Sequence, residues 1–133
     1  MLKLEIVTPE RRIVDTEADT VTVPTASGDV GLLPGHAPMI SALRPGILTY
    51  AARGREDRIA VAGGFVEINR DKVSVLADAA ETADEVDAEA ARAARTELER
   101  SLEDAWQQPV EETDPLREQL EAADARLRLA AGK

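Results

Sequence analysis

The chain has 133 residues, 16 basic against 26 acidic, for a net charge of -10 at pH 7. It contains no cysteine, one histidine (His36) and three aromatics, Tyr50, Phe65 and Trp106. These counts exclude a disulfide scaffold, a thiolate metal site, a cysteine nucleophile and a histidine-rich metal centre. They argue against nucleic acid, which needs a basic face and stacking platforms.

No apolar run approaches the ~18 residues of a membrane span. The opening Met-Leu-Lys-Leu-Glu carries an acid at Glu5 and no apolar h-region, so no signal peptide is expected and the chain reads as soluble and intracellular. Its 23 alanines, and 13 arginines against 3 lysines, resemble the usage of a GC-rich bacterium.

From the start of the chain, apolar residues alternate with polar ones, as in a half-buried strand. Leu2, Leu4 and Ile6 alternate with Lys3 and Glu5; Val21 and Val23 alternate with Thr20 and Thr22. Ile59 and Val61, the run Phe65–Ile68, and Val73 and Val75 repeat the pattern. Turn signals punctuate it at Pro9-Glu10, Ser27-Gly28-Asp29, Pro34-Gly35, Pro45-Gly46, Arg53-Gly54 and Asn69-Arg70-Asp71. Gly28-Asp29-Val30-Gly31 reads as a turn, and Gly63-Gly64 as a tight turn or bulge. Short strands with frequent turns predict an N-terminal antiparallel β-sandwich or barrel over 1–80.

Composition changes near Ala80. Residues 1–80 hold 21 of the 26 Val, Ile and Thr and carry -2; residues 81–133 hold one Gly, no Ile and 12 Ala, and carry -8. Ala, Leu, Glu and Arg favour helix, so 81–133 reads as a C-terminal antiparallel helical hairpin and the whole as an α+β chain. The first helix is placed at about 87–107, with Asp87 as N-cap, Ala94, Leu98, Leu102 and Trp106 as its stripe, and Pro109 stopping it. The second is placed at 115–131, with Asp114 as N-cap, Pro115 as first residue, and Leu116, Leu120, Ala123, Leu127 and Ala131 as its stripe. Asp124 and Arg128 form an i,i+4 pair. Alanine buries little area, so the seam between hairpin and sandwich should be shallow, and the hairpin reads either as a movable element or as a permanently docked cap.

Chemistry is represented mostly by absences. There is no Gly-Lys-Ser/Thr after a glycine run and no nucleophile elbow. His36 sits in the proline-bounded loop Pro34-Gly35-His36-Ala37-Pro38, where a contact or solvated role outweighs a catalytic one. The carboxylate pairs Glu56-Asp57, Asp84-Glu85 and Glu111-Glu112 lack any sign of split acid and base environments. No catalytic residue, metal or cofactor is expected, and the chain alone reads as no enzyme.

The phrases Gly28-Asp29-Val30-Gly31-Leu32-Leu33-Pro34-Gly35-His36-Ala37-Pro38, Ala62-Gly63-Gly64-Phe65-Val66-Glu67 and Val73-Ser74-Val75-Leu76-Ala77-Asp78, with the opening Val7-Thr8-Pro9-Glu10, strongly resemble the epsilon subunit of the rotary ATP synthase. The resemblance implies a non-catalytic central-stalk subunit that couples proton-driven rotation to ATP synthesis, peripheral on the cytoplasmic face of the bacterial plasma membrane and not inserted in it. Its implied partners are the gamma subunit and the c-ring loops. Asp29, Leu32, Leu33, His36, Pro38 and Met39 fall where the family makes those contacts.

The family's hairpin is regulatory: docked, it permits activity; extended, it reaches the alpha and beta subunits and blocks ATP hydrolysis. Arg92, Arg95, Arg100, Arg126 and Arg128 are the implied contacts there. Some members bind ATP on the docked hairpin through Ile or Leu, Asp, two variable residues, Arg and Ala. Here the run is Val86-Asp87-Ala88-Glu89-Ala90-Ala91, with Ala90 in the arginine position, and Asp124 replaces a second basic position. Tight ATP binding is therefore not favoured; a weak site would draw on Asp87, Arg92 and Arg128. The -8 hairpin predicts inhibition that is weak or limited to one arginine face. The alternative is an adaptor of another assembly, built from the same sandwich and hairpin.

Overall fold

The computed structural model describes residues 1–132; Lys133, the last residue of the predicted hairpin unit, lies outside them. Ten strands come first: β1 (Leu2–Val7), β2 (Arg12–Ala18), β3 (Thr20–Thr25), β4 (Gly28–Leu32), β5 (Met39–Ala42), β6 (Gly46–Ala52), β7 (Arg55–Val61), β8 (Gly64–Asn69), β9 (Lys72–Ala77) and β10 (Ala80–Thr82). A 3-10 turn at Ala83–Glu85 leads to helices α1 (Ala88–Asp104) and α2 (Val110–Ala131).

The strands form two five-stranded sheets, β2-β1-β9-β8-β5 and β10-β7-β6-β3-β4. Every pairing is antiparallel except β1 with β9, which lie side by side in parallel. Parallel neighbours need a long connection, and here seven strands separate the two in sequence. The alternation read from sequence faces the core: Leu2, Leu4, Ile6, Val21, Val23, Val66, Ile68, Val73 and Val75 are fully enclosed between the sheets. The run Gly28–Gly31 is strand rather than turn; the reversal is confined to Ala26-Ser27, and Leu32 enters the core.

Gly63-Gly64 makes the tight reversal into β8. Both residues have positive φ, 78° and 110°, and a Cβ on Gly64 would stand 2.0 Å from the Leu76 carbonyl oxygen. Only glycine fits such an approach.

The helices differ from the sequence expectation at their ends. α1 stops at Asp104, where the Ala105 N–H turns back to the Ser101 and Leu102 carbonyls. Trp106 therefore leaves the predicted stripe and is 77% exposed. α2 begins at Val110, not at Asp114-Pro115, and carries Pro115 in its interior. Glu111 and Glu112 favour that early first turn through the helix dipole. The Thr113 hydroxyl and the Arg117 guanidinium donate to the Val110 carbonyl in this first turn.

The helices pack on each other, and α2 seats the pair on the outer face of β6 and β7. The seat is a second small cluster: Ala125 and Leu129 meet Ala60, flanked by Ile47, Ala83 and Val86. Of the stripe expected on α2, only Ala123 is fully buried; Leu116, Leu120 and Leu127 are half-buried and Ala131 is exposed. The side that meets the sandwich, through Ala125 and Leu129, was not anticipated.

Candidate functional site

Three regions of the surface stand out, and each begins with strand register. On the outer face of the β2-β1-β9-β8-β5 sheet, Ala42 pairs with Phe65, Phe65 with Leu76, and Leu76 with Val7. This row of apolar side chains crosses four strands on the face turned away from the core. Phe65 is 57% exposed, Leu76 58%, and nearby Ile40 68%. Contiguous exposed apolar side chains mark contact surfaces. The sequence signal was available: Phe65 and Leu76 adjoin the inward Val66 and Val75, so each is apolar at a position where alternation calls for polar.

The second region is the loop at residues 33–38. The His36 N–H closes a turn on the Leu33 carbonyl at 3.1 Å, and the Gly35 N–H donates to Asp71 Oδ1 at 2.8 Å. His36 Nδ1 stands 2.7 Å from the Ala37 carbonyl oxygen. These bonds and the flanking prolines stiffen the loop. The residues expected to act together are divided by the fold. Leu33 and Pro38 are exposed here, His36 is half-buried, and Met39 packs partly on the core. Leu32 is 0% exposed and is a core residue, so it offers no surface to a partner. Asp29 lies at the far end of β4 beside the β3–β4 turn, most of the strand's length away, roughly 15 Å.

The third region is the contact between hairpin and sandwich. Arg126 Nε stands 2.7 Å from Glu81 Oε1, off the line that its N–H needs for a hydrogen bond, while Nη2 donates to Oε2 at 3.4 Å. Both side chains are about 30% exposed. Arg44 reaches from the β5–β6 connection to Glu121 at 2.7 Å. Arg95 bridges Glu99 at 2.9 Å and Asp124 at 3.1 Å, tying α1 to α2. Asp124 thus pairs with Arg95 across the helices, not with Arg128 along α2. At the entry to the hairpin, the Thr82 N–H and hydroxyl donate to Glu85 Oε1, each at 3.0 Å, and Arg11 pairs with the same carboxylate. The Thr82 backbone bond holds the Glu85 carboxyl below its ordinary range against the opposing effect of burial, with further help from the Thr82 hydroxyl and Arg11.

Among the hairpin arginines, Arg95, Arg100 and Arg126 are engaged in ion pairs, whereas Arg92 and Arg128 make none. Arg128 overhangs a groove of about 450 Å³ that Arg44, Arg58 and Thr49 also line. Asp87 caps α1 at the Ala90 N–H, 3.0 Å away. Arg128 borders two grooves, and neither Asp87 nor Arg92 lines either of them. A further groove holds Tyr50, whose hydroxyl pKa is raised by burial and by neighbouring Asp57. Among the described residues no group of three or more His, Cys, Asp or Glu is placed to hold a metal. No helix among them is long and apolar enough to cross a membrane.

Comparison with known proteins gives these surfaces their setting. Residues 1–83 match the family described as ATP synthase, Delta/Epsilon chain, beta-sandwich domain. The ATP synthase epsilon chain of Carboxydothermus hydrogenoformans is 47% identical over 102 residues, 77% of this chain and 74% of that one. The ATP synthase epsilon chain of Moorella thermoacetica is 49% identical over 102 residues, 76% of each. A chain in the Euglena gracilis mitochondrial ATP synthase structure, comprising OSCP, F1 and c-ring, superposes with a TM-score of 0.77 at 26% identity, covering 98% of this chain and 81% of that one. These matches leave the adaptor alternative without support. The chain belongs to the ATP synthase delta/epsilon family, as an epsilon chain, a non-catalytic subunit of that complex.

Proposed function

We propose that this epsilon chain works as a rotor element. It docks on gamma through the exposed face of the β2-β1-β9-β8-β5 sheet and meets the c-ring loops nearby, at the cytoplasmic face of a bacterial inner membrane. The observation that carries the reading is the Ala42–Phe65–Leu76–Val7 row. A sandwich whose other outer face is already covered by its own hairpin leaves this one apolar face for a partner. Asp29, Leu33, His36, Pro38 and Met39 then serve as edge contacts from two ends of the sandwich, not as one loop.

The hairpin is the regulatory unit of this proposal. Its docked state engages Arg95 and Arg126, two of the arginines expected to meet the alpha and beta subunits when it extends. Extension therefore first breaks the Arg126–Glu81 pair and the small Ala125/Leu129 seat. The released segment, residues 86–133, carries 7 basic and 12 acidic residues, -5 net, which opposes approach to acidic surfaces, so inhibition of hydrolysis is weak.

Reconstitution with gamma tests both halves. Phe65→Glu and Leu76→Glu should each abolish a stoichiometric complex that the unaltered chain forms. A stop after Glu85, which spares β10, should raise ATP hydrolysis by the assembled complex only modestly. Retention of gamma by both glutamate variants would overturn the docking face; strong activation by the truncation would overturn weak inhibition.

A further inference from the structure

The cations of this acidic chain divide into two populations. Arg11, Arg12, Arg44, Arg95, Arg100, Arg117 and Arg126 make every ion pair found among the described residues. Eight make none: Arg92 and Arg128 on the hairpin, Arg58 in the groove that Arg128 borders, and Lys3, Arg53, Arg55, Arg70 and Lys72, all five exposed.

Strand register places these five at one end of the sandwich. Lys3 lies at the start of β1 and Lys72 at the start of β9, directly opposite each other across the parallel pair. Arg70 is in the β8–β9 turn, while Arg53 and Arg55 belong to the β6–β7 turn. Asp71 binds the parts together: its carbonyl accepts from the Lys3 N–H and its carboxylate from the Gly35 N–H, both at 2.8 Å. The 33–38 loop, with Leu33 57% exposed, therefore belongs to the same end. The acids there are Glu17, Asp19 and Asp71, and Asp71 is already used; Glu56 and Asp57 turn into the groove that Leu129 and Thr82 line.

Two features bear on the stability of this arrangement. Like charges facing each other across a strand pair are unfavourable; Lys3 faces Lys72 on one side and Glu17 on the other, so only Lys72 has no opposite charge across its strand pairs. The described residues include only three non-glycine residues with positive φ, Arg53 at 54°, Arg70 at 51° and Asp71 at 61°, and all three lie at this end. Tight hairpin turns of this shape favour Asn or Gly at such positions. Arginine there spends stability on charge, and backbone strain of this kind clusters where a surface has work to do.

We infer that this basic end is a docking surface for an acidic protein face, one that presents carboxylates to Arg53, Arg55, Arg70, Lys3 and Lys72 around the apolar Leu33. The inference rests on the rotor reading and specifies the chemistry of the partner at the 33–38 end. A protein face is favoured over an anionic membrane because the cations are interleaved with acids and fixed on stiff turns. Attraction to lipid instead scales with an uninterrupted cluster of basic residues.

The test uses the full chain and the same organism's ATP synthase stripped of this subunit. Arg53→Asn/Arg70→Asn keeps residues that tolerate positive φ. The isolated double variant should melt at the same temperature or a few degrees higher. Its association with the stripped complex should be about tenfold slower at low salt, with a flatter salt dependence. Unchanged association overturns the inference, and so does a slower one accompanied by a lower melting temperature, which would mark a folding role. Wild-type binding to phosphatidylglycerol vesicles that the double variant loses, with association to lipid-free complex unchanged, assigns the surface to lipid and overturns it as well. Failure of the wild-type chain to rejoin the complex overturns the rotor reading beneath it.

Discussion

The sandwich and the hairpin are held by different physics. Between the sheets, Leu, Ile and Val side chains interdigitate at or near zero exposure, and every strand except β5, which supplies only the partly buried Met39, contributes a buried residue. Between hairpin and sandwich, the fully buried apolar contacts reduce to Ala60, Ala125 and Leu129, supplemented by ion pairs that remain partly solvated. A buried leucine stabilises by about 1.5–3 kcal/mol, and ion pairs of such exposure by about 1 kcal/mol or less. The first interface behaves as a single cooperative unit. The second is worth only a few kcal/mol, an amount that a partner's surface can exceed, and so suits a segment with two positions.

The largest effect that would break this contrast lies in the core. Leu4→Ala should lower the stability of the sandwich by about 2–5 kcal/mol, because Leu4 is fully enclosed and the cavity cannot collapse between two sheets. Urea unfolding followed by far-UV circular dichroism reads it. A loss below 1 kcal/mol would mean that the sandwich is as loosely assembled as the hairpin seat.

Leu129→Ala is the matched perturbation of the seat. The residue is 2% exposed, but its partners are small, so about 2 kcal/mol of docking is at stake. The expected outcome is local: faster amide exchange throughout α1 and α2, with strand protection and the main melting transition unmoved. Equal loss of protection in β6 and β7 would show that hairpin and sandwich unfold together.

The same contrast explains what could be read from sequence. Strand alternation is a local, two-residue signal, and it placed Leu2, Leu4, Ile6, Val21, Val23, Val73 and Val75 inward. The β1–β9 pairing is a long-range choice that alternation does not encode. On α2, Pro115 followed an acid suited to capping and so drew the expected start to residue 115; two glutamates and a hydroxyl at Thr113 supported an earlier turn instead. The stripe Leu116–Leu127 was visible because leucine is conspicuous, while the seat at Ala125 was hidden among alanines that point everywhere. Contact residues were the least legible. Asp29 and His36 are close in sequence yet separated by an extended strand, and the basic end assembles from four separate turns and termini of strands. In contrast, the out-of-phase Phe65 and Leu76 were a signal present in the sequence and left unused.

The smallest effect concerns the joint between the two regions. The Glu85 carboxylate accepts two bonds from Thr82 and pairs with Arg11, so its folded pKa lies below the ordinary 4.5. A depressed carboxyl adds stability that is fully present above the unfolded value and is lost as pH falls through the folded one. Glu85→Gln removes the charge while retaining an oxygen that can accept from Thr82. The stability difference between wild type and variant should therefore be present at pH 6, begin to shrink as pH falls below 4.5, and vanish only below the lowered folded value, where both side chains are neutral. The group is largely exposed, so solvent screening keeps the difference small. Urea melts of the pair across this range measure it, and protonation of the chain's many other acids cancels in the comparison. A difference that stays constant with pH would show that Glu85 acts through shape alone, and would leave the Thr82–Glu85 joint without an electrostatic part in holding the hairpin.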